Sequence, residues 1–134
     1  MRITADTNVL VRVAIDDDPR QSAIAAEALR TAESIVVTLP ALCEFAWVLS
    51  RGYKISKSEI ALSIRRLVES ATVTVDRPAV DAGLSMLEAG GDFADGVIAF
   101  EGRRLGGVVF TSFDVNAVRL IKAMGAETHL LPQA

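Results

Sequence analysis

The chain has one cysteine, one histidine, one tryptophan, one tyrosine and four prolines in 134 residues. A lone Cys43 permits no intrachain disulfide and no CxxC zinc site, and it suits a reducing cytoplasm. A lone His129, in a C-terminal apolar strand, removes catalysis by a histidine pair and reads as structural or exposed. No apolar run approaches the ~18 residues of a membrane span. The N-terminus shows no charged region followed by a long apolar one, so neither a signal peptide nor a membrane partner is expected. GxGxxG, GxxxxGK[ST] and GxSxG are all missing, so Gly90-Gly91 and Gly106-Gly107 are not phosphate loops and no serine sits on a nucleophile elbow. With five Phe besides the single Tyr and Trp, there is no aromatic array for base stacking as the main design. A net charge of −3 excludes a bulk polycation.

What is present is a globular composition, 51% hydrophobic and 23% charged, at a length that fits one domain, residues 1–134. Short apolar runs at 2–5, 35–38, 72–75, 108–111 and about 127–130 read as strands. Helical patterns lie between them. Asp16 to Pro19 is a turn, and Pro19 to Glu33 is helical by composition. Pro40 opens a helix over Ala41–Ser50 that stops at Gly52. Ser56 and Glu59 have capping-box spacing ahead of the stripe Ile60, Ile64, Leu67 and Val68. Asp76 and Pro78 start a helix with Val80, Leu84 and Leu87 on one face. Helices follow from Phe93 to Leu105 and from Asn116 to Met124. Strands alternating with helices predict an α/β domain with a mostly parallel sheet.

The acids are not scattered evenly. Asp6 follows the strand Ile3-Thr-Ala5, and Asp114 follows the strand that ends near Phe113. In a parallel sheet such exits share one edge, where α/β proteins bind ligands. Glu44 lies in the first turn or so of the helix after Pro40. Asp92 and Asp95 flank the start of the helix at Phe93. Asp6, Glu44, Asp95 and Asp114, with Asp92 nearby, are therefore candidates for one acidic site. Taken singly, a strand-exit aspartate is more often a helix N-cap, Asp92 is well placed to cap, and Glu44 can simply face solvent. Close carboxylates stay ionised together only beside a cation, and an all-oxygen set suits Mg²⁺ or Mn²⁺. Metal-assisted attack of water on a phosphodiester is the chemistry that follows. Arg51, Lys54, Lys57, Arg65, Arg66, Arg103, Arg104, Arg119 and Lys122 are either ordinary helix faces or a basic rim for RNA backbone.

These motifs resemble the PIN-domain ribonucleases, and most closely the VapC toxins of bacterial toxin–antitoxin pairs. The likeness runs through Ala5-Asp-Thr-Asn-Val-Leu10, Pro40-Ala-Leu-Cys-Glu44, Gly91-Asp-Phe-Ala-Asp-Gly-Val-Ile-Ala99 and Phe110-Thr-Ser-Phe-Asp114. It implies a three-layer α/β/α sandwich, and a Mg²⁺- or Mn²⁺-dependent endoribonuclease with Asp6, Glu44, Asp95 and Asp114 as an intact acidic quartet. Asp92 would be an auxiliary acid, and Thr7, Asn8 and Ser112 small polar supports. The resemblance further implies tRNA or rRNA as substrate, a homodimer, and a VapB-like antitoxin that crosses the acidic groove. Gly96 departs from the family's commoner alanine and by propensity alone loosens its helix by about 1 kcal/mol. Two alternatives stand beside this reading. One is a non-catalytic PIN-like module that binds RNA or antitoxin. The other is a phosphomonoester hydrolase, disfavoured because Asp6-Thr7-Asn8 lacks a second aspartate.

Overall fold

The computed structural model describes residues 1–133, and the chain forms two compact units, Met1–Arg77 and Pro78–Ala134. In the first unit the order is β1 (Arg2–Thr4), α1 (Thr7–Ala14), α2 (Pro19–Thr31), β2 (Ser34–Val36), α3 (Leu39–Trp47), a π turn (Val48–Gly52), α4 (Lys57–Glu69) and β3 (Val73–Thr74). The three strands pair in parallel in the order β1–β2–β3, with Ile3 opposite Ile35 and Ile35 opposite Val73. Central β2 is flanked on both sides, and Ile35 and Val37 are buried, as expected for a continuous apolar strand. The ladder runs past β1 itself. Ala5 N–H donates to the Val36 carbonyl at 3.0 Å, so the backbone is held up to the residue before Asp6.

Side-chain caps set the helix starts here. Asp18 accepts from Gln21 N–H at 3.1 Å, Thr38 from Ala41 N–H at 3.4 Å and Ser56 from Glu59 N–H at 3.3 Å. Each satisfies a first-turn donor that the helix itself leaves orphaned. Ile60, Ile64 and Val68 of α4 are buried, which is the stripe read from their spacing. Helix α1 packs on α2 and α3. A polar knot ties the α1–α2 turn to the end of the π turn. The Arg12 guanidinium donates to Asp17 Oδ1 at 2.7 Å and to the Tyr53 hydroxyl at 3.5 Å, and that hydroxyl donates to Asp17 Oδ2 at 2.9 Å. The Tyr53 hydroxyl, aided by Arg12, holds the Asp17 carboxyl below its usual range.

In the second unit α5 (Arg77–Glu88) and α6 (Phe93–Arg104) precede β4 (Val109–Ser112), α7 (Val115–Ala123) and β5 (Glu127–Leu130). β4 and β5 pair in parallel from Val109–Glu127 to Ser112–Leu130, and Leu131 N–H extends the ladder to the Ser112 carbonyl at 2.8 Å. Val80, Leu84 and Leu87 of α5 are buried together, each contributing roughly 1.5–3 kcal/mol of transfer free energy. Met86, Leu120 and Ile121 form a core on which Ala99, Phe110 and Ala126 pack.

Two glycines let α5 and the start of α6 approach closely. A Cβ at Gly83 would stand 2.6 Å from the Phe93 ring, and Phe93 is itself fully buried. At Gly96 a Cβ would overlap the Ala82 carbonyl oxygen and stand 2.7 Å from Met86 Cγ. Gly96 is thus a contact requirement of the helix pair, a tertiary cause that its helix propensity does not reveal. Parallel strands joined by helices realise the expected α/β class in each unit.

Candidate active site

Asp6 stands at the N-cap position of α1. Its backbone carbonyl accepts from Val9 N–H at 3.0 Å and Leu10 N–H at 3.4 Å, yet its side chain makes no cap hydrogen bond. The carboxylate is exposed and left over from the helix start. Thr7, next in line, is the buried polar residue of the core, while Asn8 faces solvent. Glu44 is in the second turn of α3, because that helix begins at Leu39, two residues before the expected Ala41. Its side chain is exposed. Since α1 and α3 pack on each other, Asp6 and Glu44 belong to neighbouring helices of one unit.

Asp114 uses the same sequence device to a different end. Its Oδ1 accepts from Ala117 N–H at 3.0 Å, so this carboxylate caps α7. Its own N–H donates to Ser112 Oγ at 2.9 Å, which gives Ser112 the supporting role expected of it. Asp92 occupies the N-cap position of α6 without a side-chain cap bond. The cap reading for Asp92 is corrected: the local pattern was right for a helix start, but the carboxylate does not reach the amides and is engaged elsewhere. Asp95 is in the first turn of α6 and half-buried. Helix α6 packs on β4 and α7, so Asp92, Asp95 and Asp114 lie on adjacent elements of the second unit.

Among the described residues, no group of three or more acidic, histidine or cysteine side chains is drawn close enough to hold one ion. The donor chemistry nevertheless fits a hard cation, since every candidate offers carboxylate oxygen and none offers sulfur or nitrogen. Cys43 adds no nucleophile, because partial burial pushes its thiol pKa up and favours the unreactive form. His129 is exposed in β5, opposite Thr111. The residues that the sequence did not single out are Gly83 and Gly96, which seat the helix that carries Asp95. Their signal is tertiary.

An α/β chain whose parallel strands deliver aspartates to helix starts defines a class of acidic-site proteins. Compared with known families, residues 3–122 match the PIN domain, and the chain belongs to that family. The match contains Asp6, Glu44, Asp92, Asp95 and Asp114. Among solved structures the chain is similar to VapC20 of Mycobacterium tuberculosis, a toxin that cleaves the sarcin–ricin loop. The identity is 16%, over 92% of this chain and 95% of that one, with a TM-score of 0.44. No curated protein matches. Among the described residues, no helix is long and apolar enough to cross a membrane.

Proposed function

We propose that the chain is a single PIN-like nuclease domain, residues 1–134, that hydrolyses RNA phosphodiester bonds with a divalent metal. Membership in the PIN family across residues 3–122 supports the reaction class. The observation that carries the site is the Asp6 carboxylate, exposed at a strand exit and free of cap duty at the helix it begins. Asp6 and Asp95 would hold Mg²⁺ or Mn²⁺, and Glu44 and Asp114 would complete its shell or orient water. Asp92 is an auxiliary acid. The ion, when bound, polarises the phosphate and makes water a better nucleophile. The chain's own residues fix where this happens. The β1–β2 ladder holds the backbone before Asp6, and the Ser112–Asp114 turn fixes the second strand exit.

In this reading the protein is the toxin of a VapBC-type pair, acts on RNA such as tRNA or rRNA in the cytoplasm, works as a homodimer and is restrained by a VapB-like antitoxin. The test is cleavage of structured RNA in Mg²⁺. Asp6→Asn should abolish it while circular dichroism stays native. Undiminished cleavage by a pure Asp6→Asn protein refutes the proposal.

A second reading is a non-catalytic PIN-like module that binds RNA or antitoxin. It is favoured by the lack of any three acids gathered for one ion among the described residues. Titration with Mn²⁺ separates the two readings, since only the nuclease binds the ion at the quartet.

A further inference from the structure

One exposed stripe on α3 and the π turn has no part in the proposed chemistry. Trp47, the only tryptophan, is 63% exposed, while its neighbours Phe45, Ala46 and Leu49 are buried. The helix therefore has a well-filled inner face, and Trp47 is not on it. Glu44 lies one turn earlier on the exposed side, and Arg51 lies one turn later. From Phe45 to Ser58 there is no acid, but there are Arg51, Lys54 and Lys57, in a chain where acids outnumber Lys and Arg 17 to 14. Lys54 adopts a left-handed φ of 58°, a conformation that costs any residue with a Cβ. Such strain and π turns both concentrate at functional sites.

We propose that Trp47 is a stacking platform for an unpaired base of a single-stranded or looped RNA segment, with Arg51 and Lys54 on the adjoining phosphates. This rests on the ribonuclease reading and deepens it by naming the form of the substrate. In a continuous duplex the base faces are already stacked and cannot reach an indole. An unpaired base can, and stacking tolerates any base identity. Phosphates are repelled by carboxylates, so cations offset from Glu44 on the same face give the backbone a place to bind. A second copy of the chain is a poorer occupant. A two-fold contact centred on this stripe would set the same cations against each other.

The single tryptophan makes the test direct. The full chain is titrated with a short unstructured RNA oligonucleotide in Ca²⁺ in place of Mg²⁺, with the oligonucleotide checked for integrity. Saturable quenching of Trp emission that weakens as KCl rises is the expected result. The same sequence as a duplex should leave the emission unchanged. By anisotropy of a labelled oligonucleotide, Trp47→Ala should lose roughly tenfold in affinity and Trp47→Phe less. Arg51→Ala and Lys54→Ala should each flatten the salt dependence. Absence of quenching with an RNA that the protein cleaves in Mg²⁺ overturns the proposal and leaves the nuclease reading intact. Quenching by an RNA that is never cut supports the platform and counts against the nuclease. Emission that is blue-shifted alone and moves red on dilution assigns the stripe to a second copy and overturns the proposal.

Discussion

Asp6 and Asp114 each leave a parallel strand and open a helix, but they spend their carboxylates differently. Asp114 gives an oxygen to Ala117 N–H, whereas Asp6 gives its helix only a backbone carbonyl. A strand-exit aspartate is thus two things in one residue type, a cap that stabilises and a charge that can act. Where the cap bond is missing, the residue has less structural reason to be there. The comparison makes Asp6 the purer candidate for function and Asp114 a residue with two roles.

The strongest way to break this comparison is to neutralise Asp6. Asp6→Asn should lower RNA cleavage by roughly 10²–10³-fold, about 3–4 kcal/mol of transition-state stabilisation. Its unfolding free energy in urea should move by less than about 0.5 kcal/mol, because no cap bond is lost. A second variant probes the seat of Asp95. Gly96→Ala must force a methyl against Ala82 and Met86, and should cost about 1–3 kcal/mol in urea melts despite the better helix propensity of alanine. A stabilised Gly96→Ala protein would show that α5 and α6 give way there.

Asp114 sharpens the contrast through a pair of substitutions. Asp114→Ala should lose about 1 kcal/mol with the cap, while Asp114→Asn keeps an acceptor for Ala117 N–H and should retain most of that stability. Both should cut poorly, so the pair separates the cap from the charge at one position. The smallest effect is expected at the Asp17 knot. Asp17 has a depressed pKa in the fold, so its contribution is present above the ordinary aspartate pKa and is lost as pH falls through the folded value. Tyr53→Phe removes the leading cause, and should flatten the acid limb of a denaturation-midpoint profile below about pH 4.

Much of this was legible in the sequence, and the reasons differ by residue. The strands fell within a residue or two of the apolar runs, because Ile35 and Val37 must be apolar to sit in the middle of a sheet. Helix starts were legible at Ser56 and Pro19, where a capping side chain or a fixed φ leaves a local mark. The π turn was not, since its hydrogen-bond register has no composition of its own. Gly96 looked like a weak helix residue because its partner, Ala82, is distant in sequence. Asp6, Asp92 and Asp114 carry one signature before a helix, and only side-chain geometry tells the capping one from the others. The acidic quartet was legible as a pattern of residue types, and its joining into one ion site remains the proposal.

The most direct measurement is a Mn²⁺ titration calorimetry experiment on the native chain, Asp6→Asn and Asp114→Asn, with urea unfolding of the same samples. The account predicts that the native chain binds the ion, that Asp6→Asn loses binding at unchanged stability, and that Asp114→Asn also binds weakly while keeping its cap. Native-like Mn²⁺ affinity in Asp6→Asn, together with a clear loss of stability, would contradict it and make Asp6 a structural residue.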